Sequence, residues 1–462
     1  MIHHETARGL AQSIRLGERT SLEVVEHFLT RAKSSALNAF TLIDEEGALQ
    51  AARRIDASRS DGSDPGPLAG VPIAVKDLIN QKGLTTKAGS SFYRKIPDRS
   101  ATVVSRLEQA GAVIIGRTGL HEFAFGFTSE NHWFGPVRNP WDDQTSPGGS
   151  SGGSAVATAA GLSAAALGTD TGGSVRGPAA LCGVVGLKPT HGRVPCTGVF
   201  PLAPSLDTVG PIARSVADTA LLYQVIAGFD PADPWSERRP VRAPGPAAEP
   251  ARLRIGIPRL WVRKGPVQKV IRDAFWSAVD RLDNAGARIE EFASDHLEPA
   301  PELGPSVGAE VAAVHREFRA NPEHQYGPIV ESRMQIAEAV TLDEYVRALE
   351  WRARLRQAFT GAFEAYDLLI TPAVGALAKT IGTDKIDIDG EPHHYRVVLS
   401  WFSALVNHAG LPALVLPLQP SQSGPPPAIQ IITPWWEEHA LLEAGLMMER
   451  TGLSTVVAPP GF

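Results

Sequence analysis

PGGSSGGSAVATAAGLSAAALGTDTGGSVRGPAALCGVVGLKPT, residues 147–190, holds two glycine–serine clusters, at 148–154 and 169–174, each with apolar sequence beside it. After the first cluster, Ala155, Ala159 and Leu162 follow at helical spacing, which a flexible linker has no reason to show. Glycines ahead of a helix start let the backbone approach a ligand and expose its N–H donors. Residues 164–168 read as a short buried strand, and the second cluster follows it directly. Pro178 comes just after, a residue favoured in the first turn of a helix. Strand, glycine turn, serine and helix start place Ser174 Oγ at a strand edge. The N–H groups of Thr171, Gly172, Gly173 and Ser174 can converge there as a nest. Such a nest stabilises an oxyanion, and the loss of one donor costs about 3–4 kcal/mol.

The first cluster also matches G-x-S-x-G at residues 148–152, the nucleophile elbow of α/β-hydrolases. That elbow needs a strand directly before its serine. Here VRNPWDDQTSP, residues 137–147, is polar and carries two prolines, so it reads as a loop. The context disfavours a Ser-His-Asp mechanism.

Working outward, strands are expected at 71–75, 112–115, 164–168, 254–257, 367–370, 414–416 and 429–432, and helices at 102–110 and 155–161. Continuous apolar strands separated by helices predict an α/β chain. Its core would be a large mixed, mostly parallel β-sheet with helices on both faces. The first sixty residues read as helical. Thr20 and Glu23 form a T-x-x-E capping box, and Val25, Phe28, Leu29 and Ala32 share one face. The stretch ERRPVRAPGPAAEPA, residues 237–251, reads as an exposed connector, and residues 421–427 as a loop between two strands. We expect a single domain over 1–462. It comprises a helical segment 1–65, a catalytic core 66–236, a connector 237–252 and a back half 253–462 that completes the sheet and the substrate pocket.

The bulk properties exclude several classes. Of 462 residues, 43% are hydrophobic and 20% charged, as in ordinary globular proteins. The net charge of −6 without a basic stripe argues against nucleic acid as a direct partner. Cys182 and Cys196 make no disulfide framework, and no CxxC pair or histidine cluster suggests a metal. No apolar run approaches the ~18 residues of a membrane helix, and residues 1–20 lack the apolar stretch of a signal peptide. The expected location is the cytoplasm, without a membrane partner. A homodimer is compatible with the sequence.

The whole stretch 147–190 resembles the signature of the amidase signature family. That family also carries a lysine after a strand in the form G-V/I-P-x-x-V-K-D, and residues 70–77 read GVPIAVKD. Glu122-Phe123, the run TSENHWFGPVRNPW at 128–141, DLLITP at 367–372 and GLP at 410–412 extend the resemblance over most of the chain. It implies a Ser–Ser–Lys triad and no cofactor. Ser174 would attack and form an acyl-enzyme, Ser150 would relay protons, and Lys76 would be the base. It also implies a cis peptide bond between Gly149 and Ser150. By analogy Ser151 and Thr169 support the triad, and Asp170 orders the glycine loop.

A free lysine has a pKa of about 10.4, so the base must be depressed by burial; a three-unit shift costs roughly 4 kcal/mol. Ile73, Ala74 and Val75 ahead of Lys76 fit a buried site. Taken alone, Lys76 would more readily pair with Asp77 at the surface. The chain departs from many relatives at Gly119, where asparagine is common, and at Gly177, where a larger residue is common. Both suggest a roomier pocket. Arg176 is either a structural anchor or a contact for an anionic substrate. Phe123, Phe125, Phe127, Trp133 and Trp401 are pocket candidates that read more readily as core, and Gly149 is a further substrate-binding candidate. His393 and His394 fall in a polar loop. The resemblance implies a small-molecule amide and water as reactants, the amide being aliphatic or an aryl amide, urea or carbamate. The alternative is a glutamine-hydrolysing subunit of a tRNA-dependent amidotransferase, although residues 306–350 do not resemble a glutamine-recognition pattern. A non-catalytic binding protein is disfavoured because all three triad positions are intact.

Overall fold

The computed structural model of the chain describes residues 1–293, 296–419 and 424–462. Among these residues eleven strands form one sheet: β1 Phe40–Ile43, β2 Pro72–Lys76, β3 Val113–Thr118, β4 Ala165–Asp170, β5 Val185–Lys188, β6 Thr208–Ala213, β7 Arg254–Pro258, β8 Arg288–Phe292, β9 Leu368–Pro372, β10 Ala413–Pro417 and β11 Ala428–Ile432. Their spatial order is β1-β3-β2-β4-β6-β5-β10-β11-β9-β7-β8. Every strand expected from the sequence is present, with no end moved by more than three residues. β1, β5, β6 and β8 were not expected. β5 and β6 carry glycine or proline, which weakens a strand pattern, and β8 is half-exposed and charged.

The sheet is mixed, with helices on both faces. Alternate side chains serve separate cores, as the two-residue period of a strand requires. Ile73, Val75, Ala165 and Leu167 enter one core. Ala74, Ala166, Ile212 and Val415 enter the other. Parallel pairing forms two blocks, β3-β2-β4 and β9-β7-β8. The pairs between these blocks, and β1 with β3, are antiparallel. Direction is thus more evenly divided than the apolar runs suggested. A strand buried on both faces satisfies either ladder, and the connections decide which forms.

The two halves share this sheet, because β5 pairs with β10. Residues 237–252 run between them largely as coil, held where Arg193 donates to the Arg239 and Pro240 carbonyls and Gly245 N–H donates to Glu443. The N-terminal segment has the helices Ala7–Leu16, Ser21–Ser34 and Glu45–Ser60, interrupted by edge strand β1. Thr20 accepts from Glu23 N–H at 3.0 Å, but Glu23 turns to Arg19 at 3.7 Å, so half of the expected capping box forms. Of the expected 421–427 loop, residues 421–423 lie outside the described residues. Among the described residues no helix is long and apolar enough to cross a membrane.

Candidate active site

Neighbouring parallel strands end at the same sheet edge, and the site follows from that. β2 and β4 pair in register, Val75 opposite Leu167. Lys76, the last residue of β2, therefore lies beside the end of β4 and the turn that carries Ser174. Lys76 is wholly buried, with Nζ 2.7 Å from Ser150 Oγ and 2.8 Å from Thr169 Oγ1. Burial pushes its ammonium down to about 7, against the pull of Asp170 and Asp207. Asp77 takes no part in this. It points away to Arg117 at 3.4 Å, so the surface pair Lys76–Asp77 does not form.

The Gly149–Ser150 peptide bond is cis, as the resemblance implied. Ser150 O accepts from His121 N–H and from Ser129 Oγ, and Ser129 Oγ also accepts from Gly152 N–H. A Cβ at Gly149 would lie 2.6 Å from Thr128 N, so backbone packing explains this glycine. Gly149 does not line the cavity described below. Ser151 ties the two clusters together. Its N–H donates to Ser174 O at 3.2 Å, and its Oγ bonds Thr169 O at 3.1 Å.

Asp170 organises the turn. It accepts from Gly173 N–H at 2.8 Å and Val175 N–H at 3.1 Å, and it pairs with Arg176 at 3.0 Å. Burial opposes its ionisation, but Arg176 beside it holds the carboxyl well below the usual carboxylate range. Gly173 N–H is thus taken up by Asp170, which corrects its expected place among the oxyanion donors. The N–H groups of Thr171, Gly172 and Ser174 have no acceptor among the described residues. Gly173 has φ +125°, and a Cβ there would meet Ser403 Oγ at 2.2 Å. Only glycine fits such a turn.

Arg176 is an anchor and not a substrate contact. Its guanidinium is fully buried and also donates to Gln430 Oε1 at 2.7 Å, Ser403 O at 3.1 Å and Asn407. Removing one partner of a buried pair typically costs 3–5 kcal/mol. Arg176→Met is expected to lower unfolding free energy by about that much, read as a lower urea midpoint at unchanged slope, with the glycine turn loosened.

Ser174 opens onto a cavity of about 710 Å³, a size that suits a small ligand. Among the described residues Ser174 Oγ makes no hydrogen bond, and the link from Ser150 to Ser174 is not closed. Such bonds are commonly long before substrate binds. Phe125 and Phe127 line the cavity with Leu202, Leu303, Val307 and Val340. Phe123 does not. It is fully buried among Phe92, Tyr93, Phe200 and Tyr326. Trp133 bonds Glu122 at 2.8 Å, and Trp401 bonds Trp261 O at 2.9 Å, and both lie off the cavity. His394 lines it, whereas His393 sits on a separate depression. The departures at 119 and 177 do not enlarge it. A Cβ at Gly119 would press on Val137 Cγ2 at 2.9 Å, and Gly177, with open space around it, is not on the wall.

Arg333, Arg396, Ser400 and His408 also line the cavity, and the sequence marked none of them. They sit on ordinary helices or at their edges; His408 lies two residues before the GLP at 410–412, but that stretch by itself does not single out a histidine. Among the described residues no cluster of His, Cys, Asp and Glu could hold a metal.

The chain belongs to the amidase signature family: the family model described as Amidase matches residues 23–442. It is 38% identical to a glutamyl-tRNA(Gln) amidotransferase subunit of Moorella thermoacetica, over 97% of this chain and 97% of that protein. It is 35% identical to AtzE, a 1-carboxybiuret hydrolase subunit of a Pseudomonas species, over 96% of this chain and 98% of that protein. A solved structure of a protein complex related to an s-triazine catabolic enzyme superposes with TM-score 0.91 at 35% identity, over 98% of this chain and all of that one. The chain is therefore a hydrolase of carbon–nitrogen bonds other than peptide bonds.

Proposed function

We propose that the protein hydrolyses a small amide through a Ser174 acyl-enzyme. The observation that carries this reading is the buried Lys76 Nζ, 2.7 Å from Ser150 Oγ, behind a Ser174 that faces the cavity. Ser174 Oγ attacks the carbonyl carbon, and its proton passes by way of Ser150 to neutral Lys76. The oxyanion is met by the N–H groups of Thr171, Gly172 and Ser174. The proton then returns to the leaving nitrogen, the C–N bond breaks, and an ester to Ser174 is left. Water attacks that ester by the same relay and frees the acid. The apolar walls support an aryl amide, urea or carbamate as readily as an aliphatic amide.

A second reading is a glutamine-hydrolysing subunit, supported by the similarity to proteins named as subunits of glutamyl-tRNA(Gln) amidotransferases. The purified chain alone, offered aryl amides, carbamates and glutamine, distinguishes the two. We expect turnover of the amides or carbamates without any partner. Ammonia release from glutamine alone, or no turnover until a partner protein is added, would replace the first reading with the second.

A further inference from the structure

Among the described residues three charged side chains line the cavity: Arg333, Arg396 and Glu344. Arg333 donates to Phe125 O and to the Tyr395 hydroxyl. Glu344 accepts from Thr341 N–H and Oγ1 at 2.8 Å each, as part of a helix cap at the rim. The guanidinium of Arg396 has neither a hydrogen bond nor an ion pair among the described residues. The nearby Lys379 is already neutralised by Glu130. His394 and His408 are both held below the usual imidazole range by burial, so they add no charge at neutral pH. Among the described residues the cavity therefore presents one uncommitted cation in a largely apolar wall.

A part-buried charge without a partner is costly, and a carboxylate satisfies a guanidinium with two parallel bonds. A phosphate would call for further donors, and those of Arg333 are occupied. We propose that Arg396 selects substrates that carry a carboxylate away from the scissile amide, an apolar spacer joining the two. This rests on Ser174 as the attacking group, and it names the substrate class for that site. Burial lowers the pKa of Arg396 from its ordinary value, which a bound carboxylate would reverse.

The test compares length-matched pairs: glutaramate with pentanamide, and 4-carboxybenzamide with 4-methylbenzamide. In at least one pair the acid is expected to have the higher kcat/KM, by about 100-fold, the scale of a buried charge pair. Arg396→Gln should remove that preference. Arg396→Lys, which keeps the charge without the planar fork, should recover part of it, a rescue that a merely structural role would not give. Equal or lower turnover of the acid in both pairs, or a preference unchanged in Arg396→Gln, would overturn the proposal. Calorimetric binding of glutarate separates this from the mechanism. Glutarate should bind wild type and Ser174→Ala alike and bind Arg396→Gln at least tenfold more weakly. If it binds all three equally, Arg396 is not the carboxylate site, whatever the fate of the Ser174 mechanism.

Discussion

Ser174→Ala is expected to lower kcat by about 10⁶-fold, the scale seen when a serine hydrolase loses its nucleophile. The geometry makes this loss chemical and not structural. Ser174 Oγ holds no other side chain in place, while Lys76, Ser150 and Thr169 are joined to one another without it. The backbone N–H and C=O of residue 174 survive the change, so the oxyanion donor and the bond to Ser151 N–H remain. The variant should therefore fold, unfold near the wild-type urea midpoint and still bind ligand. A slow aryl carbamate should leave its carbamoyl mass on wild type at Ser174 and leave none on the variant. Turnover within tenfold of wild type would place the nucleophile elsewhere and end the proposed mechanism.

Lys76→Met should reduce kcat/KM by about 10³-fold and change its dependence on pH, since a positioned base contributes about 10²–10⁴. Methionine keeps most of the volume in the buried slot and removes the basic nitrogen. The sign of the pH effect follows from which form works. Burial brings the Lys76 pKa down to about 7. Below that the ammonium predominates and cannot take the proton of Ser174, and above it the free amine predominates. Wild-type kcat/KM should rise through about pH 7 and level off above it. In Lys76→Met that rising limb should disappear. A wild-type profile flat from pH 5 to 9, or a limb unchanged in the variant, would show that Lys76 is not the base. The two substitutions should also combine with far less than additive loss, because the residues act as one unit.

The residues proposed to react were legible because each stands in a short segment with its own backbone requirement. Ser174 follows a buried strand and a turn that only glycine can make. Ser150 precedes a helix whose apolar face was visible in the spacing of Ala155 and Ala159. Phe123 and Phe125 show where such reading stops. Two residues apart in one segment, they were equal pocket candidates. Phe123 is enclosed by rings contributed from residues 92, 93, 200 and 326, and Phe125 is left on the wall.

Arg176 shows the same limit. An arginine two residues past the proposed nucleophile can serve as anchor or as substrate contact, and the sequence alone only leaned to the anchor. Its burial against Asp170, Gln430 and Asn407 settles the matter, and two of those partners lie more than 200 residues away. The neighbouring Asp170 also withdraws Gly173 N–H from the proposed oxyanion donors, a choice made by one carboxylate's orientation.

On its own, then, the sequence determined the lysine strand, the two serine turns and the sheet with helices on both faces, and the resemblance implied the roles now proposed for them. Those are local features: glycines where the backbone is crowded, apolar runs where strands are buried. Strand direction, and the N–H groups and the Arg396 guanidinium left without partners among the described residues, were decided only when distant segments packed. A cavity wall is shared by helices far apart in the chain, and no single stretch of residues carries its shape or its charge.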